Sequence, residues 1–255
     1  MIHTGLVSVT FRKLGPADIV ELVTRAGLDA IEWGGDVHVP HGDLDAAESV
    51  RRLTADAGLR VASYGSYCRA GCESDASTSF DAVLRTAEVL QAPNLRVWAG
   101  NRDSTEADDA WWDSVVKDTR RIAALTEAAG MTLSFEFHGG TLTDTAQSAE
   151  RFATDVDHPN LRLYWQPDQR LEFEARRDGL RTVLPWLGNV HVFHWEGGKR
   201  RALADGGAEW RDYFGSIRGT GRDHYALMEF VADDDPEAFL RDAATLKRLL
   251  AGTGE

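Results

Sequence analysis

One short motif recurs along this chain wherever a helical stretch gives way to a strand. "RAGLDAIEW" (residues 25–33), "DAGLRVASY" (56–64) and "AAGMTLSFE" (128–136) each set a small residue, a glycine and an apolar residue ahead of a β-type run. Each follows an amphipathic segment. In the first, Ile19, Leu22, Val23 and Ala26 fall on one face at the spacing i, i+3, i+4, i+7. Gly27, Gly58 and Gly130 occupy the position just past a helix, where the backbone turns left-handed and glycine does so cheaply. Pro16 sits near the start of the first helix, where a missing N–H costs nothing.

Extending the template predicts strands near 6–11, 30–33, 61–64, 95–98, 133–137, 161–165, 190–193 and 226–231. Helices are expected near 16–26, 44–57, 78–91, 107–129, 145–155, 175–186, 208–218 and 235–251. Strands joined through helices must run parallel. Eight such units in 255 residues match an α/β fold of the (β/α)₈ type, a single TIM barrel over 1–255. The competing open doubly wound sheet lacks a G-x-G-x-x-G at its first turn. No Pro-rich linker or break in composition marks a second domain.

The formal charge of −13 argues against a nucleic-acid surface, which needs clustered Lys and Arg. This does not exclude a local basic patch, and "GGKRRAL" (197–203) is one. No apolar run reaches the ~18 residues of a membrane span, and the first residues lack a basic and apolar leader pattern. A cytoplasmic location is the default expectation. Cys68 and Cys72, with no second Cys or His pair at finger spacing, read as free thiols.

In a barrel of this kind chemistry collects at the C-terminal strand ends. In "MTLSFEFHGG" (131–140), Leu133, Phe135 and Phe137 alternate with Ser134, Glu136 and His138. A carboxylate inside a strand is expensive unless paired or metal-bound. The same parity argument points Gln166, His191 and Glu229 to one axis with Glu136, so the four form a polar ring around a cation.

These strand-end residues, in "SFEFHGG", "YWQPD", "VHVFHW" and "ALMEF", resemble those of the xylose-isomerase-like TIM-barrel superfamily over essentially the whole chain. That group includes sugar phosphate isomerases and epimerases, keto-inositol dehydratases, hydroxypyruvate isomerases and, more distantly, endonuclease IV. The resemblance implies a Glu–Asp–His–Glu set holding Mn²⁺, Mg²⁺ or Co²⁺, with the two glutamates as the acid/base pair. Carried over, Glu136 and Glu229 are catalytic, and Glu136, Gln166, His191 and Glu229 are the metal ligands. Gln166 stands where the family has Asp. An amide oxygen still coordinates a hard cation but brings no charge, so weaker metal binding or a metal-free variant is expected.

The implied activity is isomerisation or epimerisation of a small sugar, sugar phosphate or polyol ketone, beginning with removal of a proton α to a carbonyl. A keto-inositol-type dehydratase begins with the same step and is the alternative, followed by a non-catalytic sugar-binding barrel. An endonuclease IV-like nuclease is disfavoured by the net charge and by only eight His. Candidate substrate contacts are Trp33, Tyr64, Trp98, His138, Asp168 and His194 at strand ends, with His38 and Arg201 in loops. Trp165 is expected in the strand–helix layer instead. The partner is a small carbohydrate, with no nucleic acid and no membrane, and a homodimer is one arrangement left open.

Overall fold

The computed structural model describes residues 1–72 and 79–252. The first half of the chain runs β1 (Ile2–Val7), α1 (Pro16–Ala26), β2 (Ala30–Gly34), α2 (Leu44–Asp56), β3 (Arg60–Ala70), α3 (Phe80–Leu90), β4 (Asn94–Ala99) and α4 (Asp109–Ala128). It continues with β5 (Thr132–Glu136), α5 (Ala146–Val156), β6 (Leu161–Trp165), α6 (Phe173–Val183) and β7 (Leu187–Val192). A hairpin of β8 (His194–Glu196) and β9 (Lys199–Arg201) precedes α7 (Gly207–Arg218), β10 (His224–Met228) and α8 (Pro236–Ala251). Eight strands close in the order β1-β10-β7-β6-β5-β4-β3-β2, and every neighbouring pair is parallel. The single TIM barrel read from the alternation is the fold.

Local chemistry explains the joints. Pro16 takes the first position of α1, and Gly27 ends that helix at φ 63°, in the left-handed region. Side chains of Asp43, Asp108, Thr145 and Asp235 accept hydrogen bonds from the first-turn amides of α2, α4, α5 and α8. Most of the core lies between strands and helices, and a second cluster of Val7, Val9, Ala30, Ala62, Tyr164 and Leu227 stands apart from it.

Several boundaries differ from expectation. The first strand covers 2–7 rather than 6–11, because Ser8–Phe11 coil into a buried 3₁₀ turn in which the Ser8 hydroxyl accepts from the Gly34 amide. The last barrel strand ends at Met228, since Phe230 takes a φ of 55° and leaves the ladder. β3 runs on to Ala70 through a register shift after Gly65. The β8–β9 hairpin was not anticipated; Gly197 and Gly198, both at positive φ, make its turn. Of the helix expected over 78–91, position 78 lies outside the described residues. Among those described, no helix is long and apolar enough to cross a membrane.

Candidate active site

Side chains alternate in and out along a strand, so each strand offers the barrel axis every second residue. That parity brings Glu32 from β2, Arg96 from β4, Glu136 from β5 and His191 from β7 to one point. Glu229, one residue beyond β10, and Gln166, one beyond β6, join them. Glu32 and His191 have no exposed surface, and Arg96, Glu136 and Glu229 retain 3%, 4% and 6%. Five ionisable groups this deep must neutralise one another or hold an ion.

Arg96 does much of the neutralising. Its Nε donates to Glu32 Oε1 at 2.7 Å, and its Nη1 donates to Glu136 Oε2. The indole N–H of Trp98 donates to that same Glu136 oxygen at 2.6 Å. Gly65 makes room for the pair, because a Cβ there would meet Arg96 Nη2 at 2.6 Å and Glu32 Oε1 at 2.8 Å. Burial would raise the Glu32 and Glu136 carboxyls, but the guanidinium and the His191 imidazole together outweigh it and hold both well below the usual range.

His191 Nδ1 is the centre of the remaining groups. It lies 3.1 Å from Gln166 Oε1, 3.5 Å from Glu136 Oε1 and 3.5 Å from Glu229 Oε2. The Gln166 amide is oriented by its own Nε2, which donates to the Phe137 carbonyl at 2.5 Å, so its oxygen is the atom that faces inward. Burial alone would lower the imidazole; Glu229, then Glu136 and Glu32, raise it to about 10. Burial raises the Glu229 carboxyl, His191 offsets part of this, and the charge of Glu136 adds to it.

This donor set fits a divalent cation. Ligand oxygens and nitrogens at about 2.1 Å from a metal stand about 3.0–3.4 Å from one another, close to the spacings around Nδ1. The nearest atoms of Glu136, His191 and Glu229 all lie within 4.8 Å of each other. Charge agrees: three carboxylates less one guanidinium leave −2 around a neutral His191. Two protons, one on His191 and one on Glu229, are the other way to balance it, and the proton affinity of both groups is raised.

A cavity of about 310 Å³ opens over the ring and is lined by Glu136, Glu229, Arg96 and Gln166. Its walls include Trp98 and His138, whose rings lie 4.7 Å apart and tilted by 35°, with Tyr67, Trp195 and Phe230. Arg12 stands at its edge, tied to Asp36 at 2.6 Å and to the Tyr67 hydroxyl at 2.9 Å.

Other residues named from the sequence fall elsewhere. Trp33 points outward, its indole donating to Thr54 Oγ1, and Tyr64 donates to the Val39 carbonyl; both are fully buried away from the cavity. His38 packs beside Trp33 and bonds the Leu14 carbonyl, so it is buried away from the cavity, while Asp36, Val37, Gly42 and Asp43 of the same loop stay exposed. Asp168 turns away to an ion pair with Arg170 at 2.8 Å and lines a neighbouring cavity. His194 lies against Gly206, and Arg201 faces Glu196 at 3.4 Å, nearly half exposed. Trp165 packs on Trp210 and Tyr213 in the strand–helix layer, as its parity requires. Cys68 and Cys72 are free thiols.

Glu32, Arg96, Tyr67 and Trp195 were given no site role from the sequence. The signal for the first two was present: each is a lone charge inside an apolar strand, "AIEWG" and "NLRVWA".

Comparison with known proteins agrees with this architecture. A family profile described as "Xylose isomerase-like TIM barrel" matches residues 20–249. A 3-dehydroshikimate dehydratase of Bacillus anthracis is 25% identical over 201 residues, 73% of this chain and 70% of that one. Among solved structures, the probable 3-DHS dehydratase AsbF from Bacillus anthracis superposes with a TM-score of 0.79 at 20% identity, over 97% of this chain and 99% of that one. The D-psicose 3-epimerase of Clostridium cellulolyticum H10 gives a TM-score of 0.72 at 17% identity, over 98% of each chain.

Proposed function

Because this chain belongs to the xylose isomerase-like TIM-barrel family, we propose that it removes a proton α to the carbonyl of a small polyhydroxylated ketone, using Glu136 and Glu229 around a divalent metal. The observation that carries this reading is the convergence of two carboxylates on one imidazole nitrogen beside a cavity of small-molecule size. Glu136 Oε1, Gln166 Oε1, His191 Nδ1 and Glu229 Oε2 would hold the metal. When bound, it supplies polarisation of the carbonyl and charge stabilisation of the enolate that proton loss creates.

The chain's own groups do the rest. Glu136 is kept ionised by Arg96 and Trp98, and so is a ready base. Glu229, buried and next to Glu136, holds a proton more readily and is suited to returning one. The adjoining rings of Trp98 and His138 form one wall, on which the C–H face of a hydroxylated ring can pack.

The fate of the enolate divides two readings. Elimination of a β-hydroxyl breaks a C–O bond, forms a conjugated C=C and releases water; the dehydratase relative at 25% identity supports it. Return of the proton to the same or the adjacent carbon gives an epimer or an isomer, and the epimerase likeness supports that. Both are tested by proton NMR in D₂O on a panel of ketoses, cyclic hydroxyketones and 3-dehydroshikimate with Mn²⁺-free Mg²⁺. Deuterium uptake at the α carbon with no loss of water marks isomerisation or epimerisation. A new alkene signal, or aromatic signals from 3-dehydroshikimate, marks dehydration. The absence of both exchange and an unsaturated product with every ketone would sink the common step.

Gln166 gives a second test. Gln166→Asp adds a carboxylate to the ligand set, so calorimetry on chelator-stripped protein is expected to show Mn²⁺ binding tightened by about tenfold or more. Unchanged or weaker binding would remove Gln166 from the ligand set.

A further inference from the structure

Two buried polar atoms in the ring have no hydrogen-bond partner among the described residues: Glu32 Oε2 and His191 Nε2. They belong to residues that face one another. Glu32 Oε1 stands 3.7 Å from His191 Nε2, on the side of the imidazole away from Gln166, Glu136 and Glu229. The same Glu32 oxygen accepts from Arg96 Nε at 2.7 Å, and Arg96 in turn holds Glu136.

Glu32 is too remote from the cavity to touch a substrate, since it is fully buried and absent from the lining. Its reach is nonetheless double. Through Arg96 it fixes the position of one carboxylate of the metal set. Toward His191 it presents a carboxylate to the ring nitrogen that the metal does not need. A neutral imidazole carries one N–H, and a carboxylate opposite Nε2 keeps that proton there, leaving the Nδ1 lone pair to face the cation.

We infer that Glu32 is the positioning residue of this centre, setting the His191 tautomer for Nδ1 coordination while anchoring Arg96 against Glu136. The inference rests on the metal centre proposed above. Its geometry requires a carboxylate at position 32, since an amide there keeps the shape but offers His191 a weaker acceptor and removes one buried negative charge. Arg96 keeps Glu136 as partner in such a variant.

The test is Mn²⁺ calorimetry on chelator-stripped wild type and Glu32→Gln, with ¹⁵N-histidine spectra of the Mg²⁺-loaded proteins. Glu32→Gln is expected to weaken Mn²⁺ by about tenfold to a hundredfold and to move the His191 signals away from a single Nε2–H tautomer. A purely structural residue would lower the melting temperature and leave the tautomer unchanged. Glu32→Asp, which keeps the charge facing Arg96 but shortens the arm, serves if the amide variant does not fold; it is expected to weaken Mn²⁺ as well. Wild type that binds Mn²⁺ beside variants of equal affinity overturns the role of Glu32 alone. Wild type that binds no Mn²⁺ at millimolar concentration overturns the metal centre and this inference together.

Discussion

Replacing Glu136 or Glu229 by Gln is expected to lower kcat about 10²–10⁴-fold on whichever ketone exchanges its α proton. An amide has nearly the shape of the carboxylate but neither takes nor gives a proton at neutral pH. The two variants differ in side effects. Glu136→Gln leaves Arg96 with Glu32 as its remaining carboxylate partner, so some stability is lost with activity. Glu229 accepts no hydrogen bond from Arg96, and its replacement relieves a buried carboxyl whose proton affinity is already raised by burial and by Glu136. Glu229→Gln is therefore expected to fold as well as wild type and still lose turnover. A carboxyl that returns the proton must hold one, so the wild-type rate is expected to fall as pH climbs through the raised Glu229 value, and loss of that alkaline limb in the residual rate of Glu229→Gln identifies the group. Turnover near wild type in either variant, measured at saturating substrate, removes that residue from the proton-transfer pair.

Much of the architecture was legible because it rests on local chemistry that repeats. The small–Gly–apolar motif marks helix ends that the structure places at Gly27, Gly58 and Gly130, all at positive φ. The inward parity of late strands located Glu136, Gln166, His191 and Glu229 together. The same rule, applied to the early strands, locates the rest. In "AIEWG" an inward Glu32 forces Trp33 outward to Thr54. In β3 Ser63, not Tyr64, faces inward, where it accepts from Asn94. Aromatic size drew attention to Trp33 and Tyr64, while alternation pointed to their neighbours. Loop residues obey no such period. His38 is buried because the chain after Gly34 folds back under Leu14, a long-range arrangement that the polar string "GGDVHVPHGD" does not encode locally. The hairpin that brings Trp195 over the cavity is likewise a tertiary feature, three residues to each strand.

Arg96→Met is expected to cost about 3–5 kcal/mol at pH 7, because it leaves Glu32 and Glu136 buried without their cation. For a chain of this size that is a fall in melting temperature on the order of 10 °C. The pH dependence follows from the sign of the shifts. In wild type both carboxyls are lowered by Arg96, so they contribute stability above the unfolded value of about 4.3 that is lost only in strong acid. In Arg96→Met burial dominates and raises both. The variant is then destabilised most above that value, and the deficit shrinks as acid protonates the carboxyls, so the gap from wild type narrows between pH 7 and about pH 4.5. Met fills the volume without supplying charge, which separates electrostatics from packing. Buried charge in the variant passes from −2 to −3 around a neutral His191, so Mn²⁺ is expected to raise its melting temperature by more than it raises that of wild type. Thermal melts at the two pH values, with and without Mn²⁺, check all three effects. A variant that melts within a degree or two of wild type at pH 7 would show that Arg96 is not what makes the buried carboxylates tolerable.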